Sequence, residues 1–283
     1  MANETQSTVL SELYTEIIQE AIFTFQETSV MRPLVTTYNI NGQGKQIAVP
    51  IYAAISAAAV NEATDLSNTA INPTESTITA SEVGVMTTLT DLGRDSAVRD
   101  VASDIGRLFG EALAKKVDTD LVGLFPSFDS GNDLGAAGTE LTADLLLKAE
   151  STLRALNVPR PYYGVFNPKA MFNLKKTLTQ AGYSGTATAI SDKGNDILNS
   201  GYCGTIFGID LYENANITID GSDDSVGGVF HPIALGLAMK ADLKLETQRD
   251  ASLRGTEIVG TMTYGVGQVK DNYGCQVTVD SAL

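Results

Sequence analysis

The chain of 283 residues has one histidine, two cysteines and few cations, and each shortage removes a class of function. A single histidine, His231, rules out multi-histidine metal sites and confines any Ser-His-Asp or Cys-His arrangement to that one residue. Followed by Pro232 in a strand-like run, it reads as a structural or surface histidine. Cys203 and Cys275 are too few for a disulfide framework and lack metal-ligand spacing. Both read as small apolar side chains, in keeping with a reducing compartment. The 19 Lys and Arg are outnumbered by 34 Asp and Glu, for a formal charge of −15. The only basic pairs, Lys115-Lys116 and Lys175-Lys176, read as solvated helix faces. Phosphate neutralisation needs clustered cations, so a protein of this composition can surround a nucleic acid but not grip it. No apolar run approaches the roughly 20 residues of a membrane-spanning helix. Residues 1–8 lack a positive region, and the expectation is a soluble chain without export signal or membrane.

Motifs for chemistry are equally sparse. Asp220, Asp223 and Asp224 fall in Asp-Gly-Ser-Asp-Asp, which lacks calcium-loop spacing and a closing Glu, and reads as a turn. Gly265-Val-Gly267 begins like a dinucleotide fingerprint but has no third glycine and no helix after it, and there is no phosphate loop. No pair of carboxylates stands out. No catalytic, cofactor-binding or metal residue is therefore assigned, and the chain is not read as an enzyme.

The most informative stretch lies between Gln46 and Gly93, which holds no Lys, Arg or His. Ile47, Val49, Ile51, Ala53 and Ile55 alternate, and a second extended series runs from Thr77 to Thr90 through Ile78, Ala80, Val83, Val85 and Leu89. Period-2 patterning on both sides of Asn61–Thr74 predicts two extended arms. At roughly 3.3 Å per residue the ribbon reaches on the order of 50 Å. Its only aromatic is Tyr52, and Ala and Thr dominate. An isolated two-stranded ribbon is marginal in water. It needs a partner surface, and a neighbouring copy of the chain is the simplest supplier.

Around the ribbon, Leu10, Leu13, Tyr14, Ile17, Ile18, Ala21, Ile22 and Phe25 recur at helical spacing opposite Glu12, Glu16 and Glu20. This amphipathic helix must dock on a distant part of the chain or on another subunit. A long helix is expected from about Ser96 to Val122, stopped by Gly123 and Pro126. Ser127–Thr139 reads as a surface loop or a domain crossing. A helix Ala143–Leu156 capped by Thr142, a strand Tyr162–Phe166, and a helix Lys169–Leu178 opened by Asn167-Pro168 follow. After a loop at Gly182–Asp196, strands are expected at Thr205–Tyr212, Val229–Met239, Leu243–Thr247, Glu257–Tyr264 and Gly274–Val279. The class is α+β.

In this order the elements resemble the major capsid protein of tailed double-stranded DNA bacteriophages, the Hong Kong 97 type capsid fold. The likeness spans essentially the whole chain and rests on the order and spacing of several segments together. Ser11–Ile18 resembles the N-terminal arm of that family, and Lys45–Gly93 its extended E-loop. Ala112–Gly123 resembles the end of its spine helix in the P-domain. Pro161–Pro168 and Gly204–Tyr212 resemble A-domain strands, and Ala238–Glu246 with Thr263–Gly267 the strands that return to the P-domain. The division implied is 1–40 N-terminal arm, 41–93 extended E-loop hairpin, 94–130 P-domain spine helix, 131–238 A-domain and 239–283 return strands of the P-domain. The resemblance implies self-assembly as hexamers and pentamers into an icosahedral shell enclosing double-stranded DNA without sequence-specific binding. Scaffolding, portal and cement proteins are the implied partners, and the virion capsid, assembled in the host bacterial cytoplasm, is the implied location. A net negative wall suits a DNA container, because it repels the packed polyanion. Some members cross-link through an E-loop lysine, whereas here Lys45 lies at the base, so non-covalent contacts or a cement protein are expected to hold the shell. Because the apolar helical pattern begins by Val9, a chain untrimmed on maturation is also expected. The alternatives are an encapsulin-type bacterial nanocompartment shell protein, which shares the fold, and an unrecognised hydrolase.

Overall fold

The computed structural model describes residues 17, 19–25, 29–42, 44–53, 55–57, 59–61, 65, 68, 70–92, 101–179 and 204–282. Twelve strands form three sheets among them. A four-stranded sheet has the order β1-β10-β11-β4, with β1 at Thr36–Asn39, β4 at Ser81–Thr90, β10 at Leu235–Asp250 and β11 at Gly255–Gln268. A six-stranded sheet has the order β5-β12-β9-β6-β8-β7. Its strands are β5 Leu134–Glu140, β6 Tyr162–Phe166, β7 Thr205–Ile206, β8 Ile209–Glu213, β9 Asp224–Phe230 and β12 Gly274–Asp280. The third sheet is a ribbon of β2 Gln46–Ile51 and β3 Thr74–Thr79.

Helix α1, Val101–Val122, crosses the four-stranded sheet and at about 1.5 Å per residue is roughly 33 Å long. Leu113, Val117 and Leu121 recur on its inner face and pack on Leu235 and Leu237 of β10, Met262 and Tyr264 of β11, and Val83 and Val85 of β4. Val165 of β6 and Phe230 of β9 join the same cluster, so one core links the two larger sheets. The opposite face of the six-stranded sheet carries α2, Ala143–Ala155, and α3, Pro168–Thr179. Thr142 Oγ1 accepts the Leu145 N–H at 3.3 Å and Asn167 Oδ1 accepts the Lys169 N–H at 3.0 Å, as the capping patterns require.

The N-terminal helix is seen at residues 17 and 19–25, and its earlier residues lie outside those described, as do the loop Gly182–Asp196, the start of the long helix and Cys203. Its docking site is α1 itself. A Cβ on Gly106 would lie 2.6 Å from the Ile17 carbonyl oxygen, and one on Gly110 2.5 Å from that of Ala21. Two glycines one turn apart therefore let the backbones touch, and Ile17 and Ala21 bury against Phe109 and Ile258.

Several local expectations change, among them Thr205–Tyr212, which is split into the antiparallel strands β7 and β8 by a turn at Phe207 and Gly208, both of positive φ. The second ribbon arm is not continuous from Thr77 to Thr90: β3 ends at Thr79, and β4 pairs with β11 from Tyr264↔Ser81 to Gly255↔Thr90. The break falls at buried Ala80, whose N–H returns to the Lys45 carbonyl at 2.7 Å. Val229–Met239 is two strands, because Pro232 opens a 3₁₀ turn, Pro232–Ala234, between β9 and β10. Part of the expected loop Ser127–Thr139 is strand β5, whose small residues Gly135 and Gly138 hold positive φ. Gly274–Val279, expected beside the strands that return to α1, is β12 and lies inside the six-stranded sheet, antiparallel to β9 and parallel to β5. Alternation defines a strand but leaves its neighbours open.

Candidate assembly surfaces

The ribbon is fastened at its base by one side chain. Ile78, 1% exposed, enters a socket made by Gly236 of β10 and its cross-strand partner Gly267 of β11. A Cβ on either would come within 2.7–2.8 Å of Ile78, and one on Gly265 within 2.3 Å of the Thr79 carbonyl oxygen. The glycines that resemble the start of a dinucleotide motif are thus a groove for β3. Ser76 Oγ also donates to the Gln268 carbonyl at 2.6 Å. Ile40, Ala80, Ala238 and Val269 complete this small core.

Beyond Ile51 and Thr74, where strand pairing ends, the ribbon leaves the body. Tyr52, Ile55, Val60 and Ile71 are 54–60% exposed and belong to no core cluster. Covering side chains of this kind is worth about 1.5–3 kcal/mol each when complete. Four together on one projecting element form a surface suited to burial against another chain.

A polar pocket of about 290 Å³ opens beside the ribbon's base, lined by Arg32, Thr37, Asn39, Ile40, Asn41, Met239, Lys240 and Asp242. Its walls come from three places. Arg32 opens the 3₁₀ turn Arg32–Leu34, and its guanidinium lies 5.1 Å from the centre of the Phe25 ring. That turn is held by Asp118 of α1, 1% exposed, which accepts hydrogen bonds from Ser29 Oγ at 2.8 Å, Val30 N at 2.9 Å, Met31 N at 3.2 Å and Asn214 Nδ2 at 3.3 Å. Thr37 and Asn39 share the exposed face of edge strand β1. Lys240 is the extra residue of a bulge between Met239↔Tyr264 and Ala241↔Thr263, which turns its ammonium outward onto the Gly44 carbonyl.

Other apolar side chains show at the far end of the four-stranded sheet, where Leu92 and Leu253 flank the Asp91–Arg249 bidentate pair at 2.6–2.7 Å. Phe23 and Leu108 are exposed on the paired N-terminal helix and α1.

His231, Cys275, Asp220 and Asp224 make structural contacts. His231 is buried, its Nδ1 accepts the Ile233 N–H at 3.2 Å, and it meets Tyr273 edge-on. Burial, with the Lys270 charge second, holds its pKa below the usual histidine range. The buried Cys275 thiol is pushed up to about 12 by burial and then by Asp133. Asp220 Oδ1 caps the turn through Ser222 N and Asp224 N, while Asp224 accepts the Gly138 N–H at 2.7 Å. Among the described residues no group of His, Cys, Asp or Glu could hold a metal ion, and no helix is long and apolar enough to cross a membrane.

Among the described residues, then, the feature that stands out is a ribbon anchored at its base with exposed apolar side chains beyond its last strand pair. Residues 73–278 match the family described as phage capsid protein, and the chain belongs to that family. It is a shell-forming capsid protein of a phage virion, not an enzyme, and its fold is the Hong Kong 97 type. No curated protein sequence matches it. Among solved structures it is similar to the capsid of cyanophage P-SCSP1u, with a TM-score of 0.71 and 18% identity over 90% of this chain and 89% of that one. It is also similar to the head of Helicobacter pylori bacteriophage KHP40, with a TM-score of 0.70 and 14% identity over 91% and 92%. The SrpI encapsulin of Synechococcus elongatus PCC 7942 aligns at a TM-score of 0.61 and 13% identity over 89% and 87%, a likeness of fold alone.

Proposed function

We propose that this capsid protein tiles an icosahedral shell as hexamers and pentamers around double-stranded DNA, with each ribbon lying on a neighbouring copy. The observation that carries the reading is the ribbon: its base is locked by Ile78 while Tyr52, Ile55, Val60 and Ile71 stand in solvent. In this reading residues 1–40 are the N-terminal arm and 41–79 with its tip the E-loop. The P-domain is α1 with the four-stranded sheet, and the A-domain is the six-stranded sheet with α2 and α3. A charge of −15 favours a container that holds DNA without binding it in a sequence-specific way. Scaffolding, portal and cement proteins would act during assembly in the host bacterial cytoplasm. Electron microscopy of the native particle, with an assay for nuclease-protected DNA, tests the reading. Closed shells with five- and six-fold capsomers around DNA are expected, and empty or open assemblies would overturn it.

A further inference from the structure

We propose that the polar pocket at the ribbon's base receives the acidic tip of a second copy's ribbon, with Glu62 and Asp65 meeting Arg32 and Lys240. The proposal rests on the ribbon reading above and names the seat of the tip.

The charges are complementary, and among the described residues no ion pair neutralises Asp65 on one side or Arg32 and Lys240 on the other. Between Gln46 and Leu92 the chain holds Glu62, Asp65, Glu75, Glu82 and Asp91 and not one cation. Asp65 is exposed and makes no ion pair among the described residues. At the other side, Arg32 and Lys240 meet no carboxylate among the described residues, although the chain has far more acids than cations. Lys45 adds a third such cation next to Gly44, and Asp242 is the one acid in the pocket wall. Asn39 and Asn41 supply amide donors suited to carboxylate oxygens.

Within one chain the seat is not filled by the described tip, since Asp65 is exposed and pairs with no cation among the described residues. The pocket adjoins Gly42 and Gly44, where the chain leaves the body, and β2 then runs some six residues, about 20 Å, away from it. The described tip residues are exposed and touch no core of the body. The tip of one copy on the base of the next is a heterologous contact, which closes into a ring when the rotation between copies divides a full turn. A charged seat of this kind fixes register and speeds encounter more than it adds affinity, leaving apolar residues such as Tyr52 and Ile55 to supply burial.

Charge exchange tests it. Glu62→Lys with Asp65→Lys is expected to abolish closed shells while leaving circular dichroism and melting unchanged, and Arg32→Glu with Lys240→Glu to abolish them in a subunit that still folds by circular dichroism. Combining all four is expected to restore shells. Since Arg32→Glu also removes the contact with Phe25, the exchange Asp65→Lys with Lys240→Glu provides a second pair that leaves the arm intact. Normal shells from either reversal, or folded combined variants that stay unassembled, overturn the proposal. A variant with residues 52–73 replaced by Gly-Ser separates the two ideas. Loss of shells there with unaffected charge reversals refutes the seat and leaves the ribbon reading standing, whereas shells in every variant refute both.

Discussion

Asp118 shows how one residue can join parts of the chain that no local pattern connects. It sits on the inner face of α1, where helical spacing calls for an apolar side chain, and its two oxygens accept four hydrogen bonds from the arm and from Asn214. Buried donors left without an acceptor cost about 1–3 kcal/mol each before relaxation. Asp118→Ala should therefore lower unfolding stability by about 3 kcal/mol, and Asp118→Asn, which keeps one acceptor, by less. Denaturant titration of the subunit checks both. If Ala at 118 is neutral, the arm is held by its apolar contacts alone.

His231 makes a second residue-scale prediction, one of pH. Burial lowers its folded pKa below the ordinary value of 6.5, so between the two values the unfolded chain binds the extra proton. Its contribution is present above about pH 6.5 and is lost as pH falls through the lower folded value. His231→Asn keeps a capping side chain but does not titrate. The difference in stability between wild type and variant should change with pH only on the acid side of 6.5, as read by melting temperatures across a pH series. A difference that stays flat there would contradict the assignment.

At the scale of elements, the paired glycines of α1 predict how the N-terminal helix is kept. Gly110→Leu places a side chain where the Ala21 carbonyl already lies and should release residues 17–25 from α1. Limited proteolysis should then remove the N-terminal segment from the variant faster than from wild type, with the remainder of the body protected.

Elements were legible in the sequence where a local rule sufficed. Tyr162–Phe166 is a strand to the residue, and Thr142 and Asn167 begin their helices, because alternation and capping act over a few neighbouring positions. Pairing was less legible. The apolar positions of Thr77–Thr90 change phase between Ala80 and Val83, which marks the junction of β3 and β4 but does not tell that the two belong to different sheets. β12 reads like any late strand, and its place between β5 and β9 depends on residues far away in the chain. β5 was hidden because Gly135, Ala136, Ala137 and Gly138 carry no pattern to alternate. The projecting ribbon could be read from its missing core. The pocket could not, since Arg32 and Lys240 are brought together only by the Asp118 clamp and a bulge in β10.

For the whole molecule, absence of lysine from the ribbon predicts a shell held without covalent bonds between subunits. Boiled particles should run as a single band near 29.9 kDa on a denaturing gel, and a ladder of larger species would show a cross-link through another residue. In the proposed shell surface burial then holds the subunits, with Tyr52, Ile55, Val60 and Ile71 of the ribbon among the exposed apolar side chains it would cover.

The most direct measurement of that claim uses the boundary between ribbon and body. β4 belongs to the main sheet, so the ribbon is to be shortened only beyond the last strand pair, Ile51↔Thr74, by replacing residues 52–73 with a short Gly-Ser turn. The account predicts a subunit with unchanged circular dichroism and melting that forms no closed shells by electron microscopy or particle sizing. Shells of normal size and yield from this variant would contradict it.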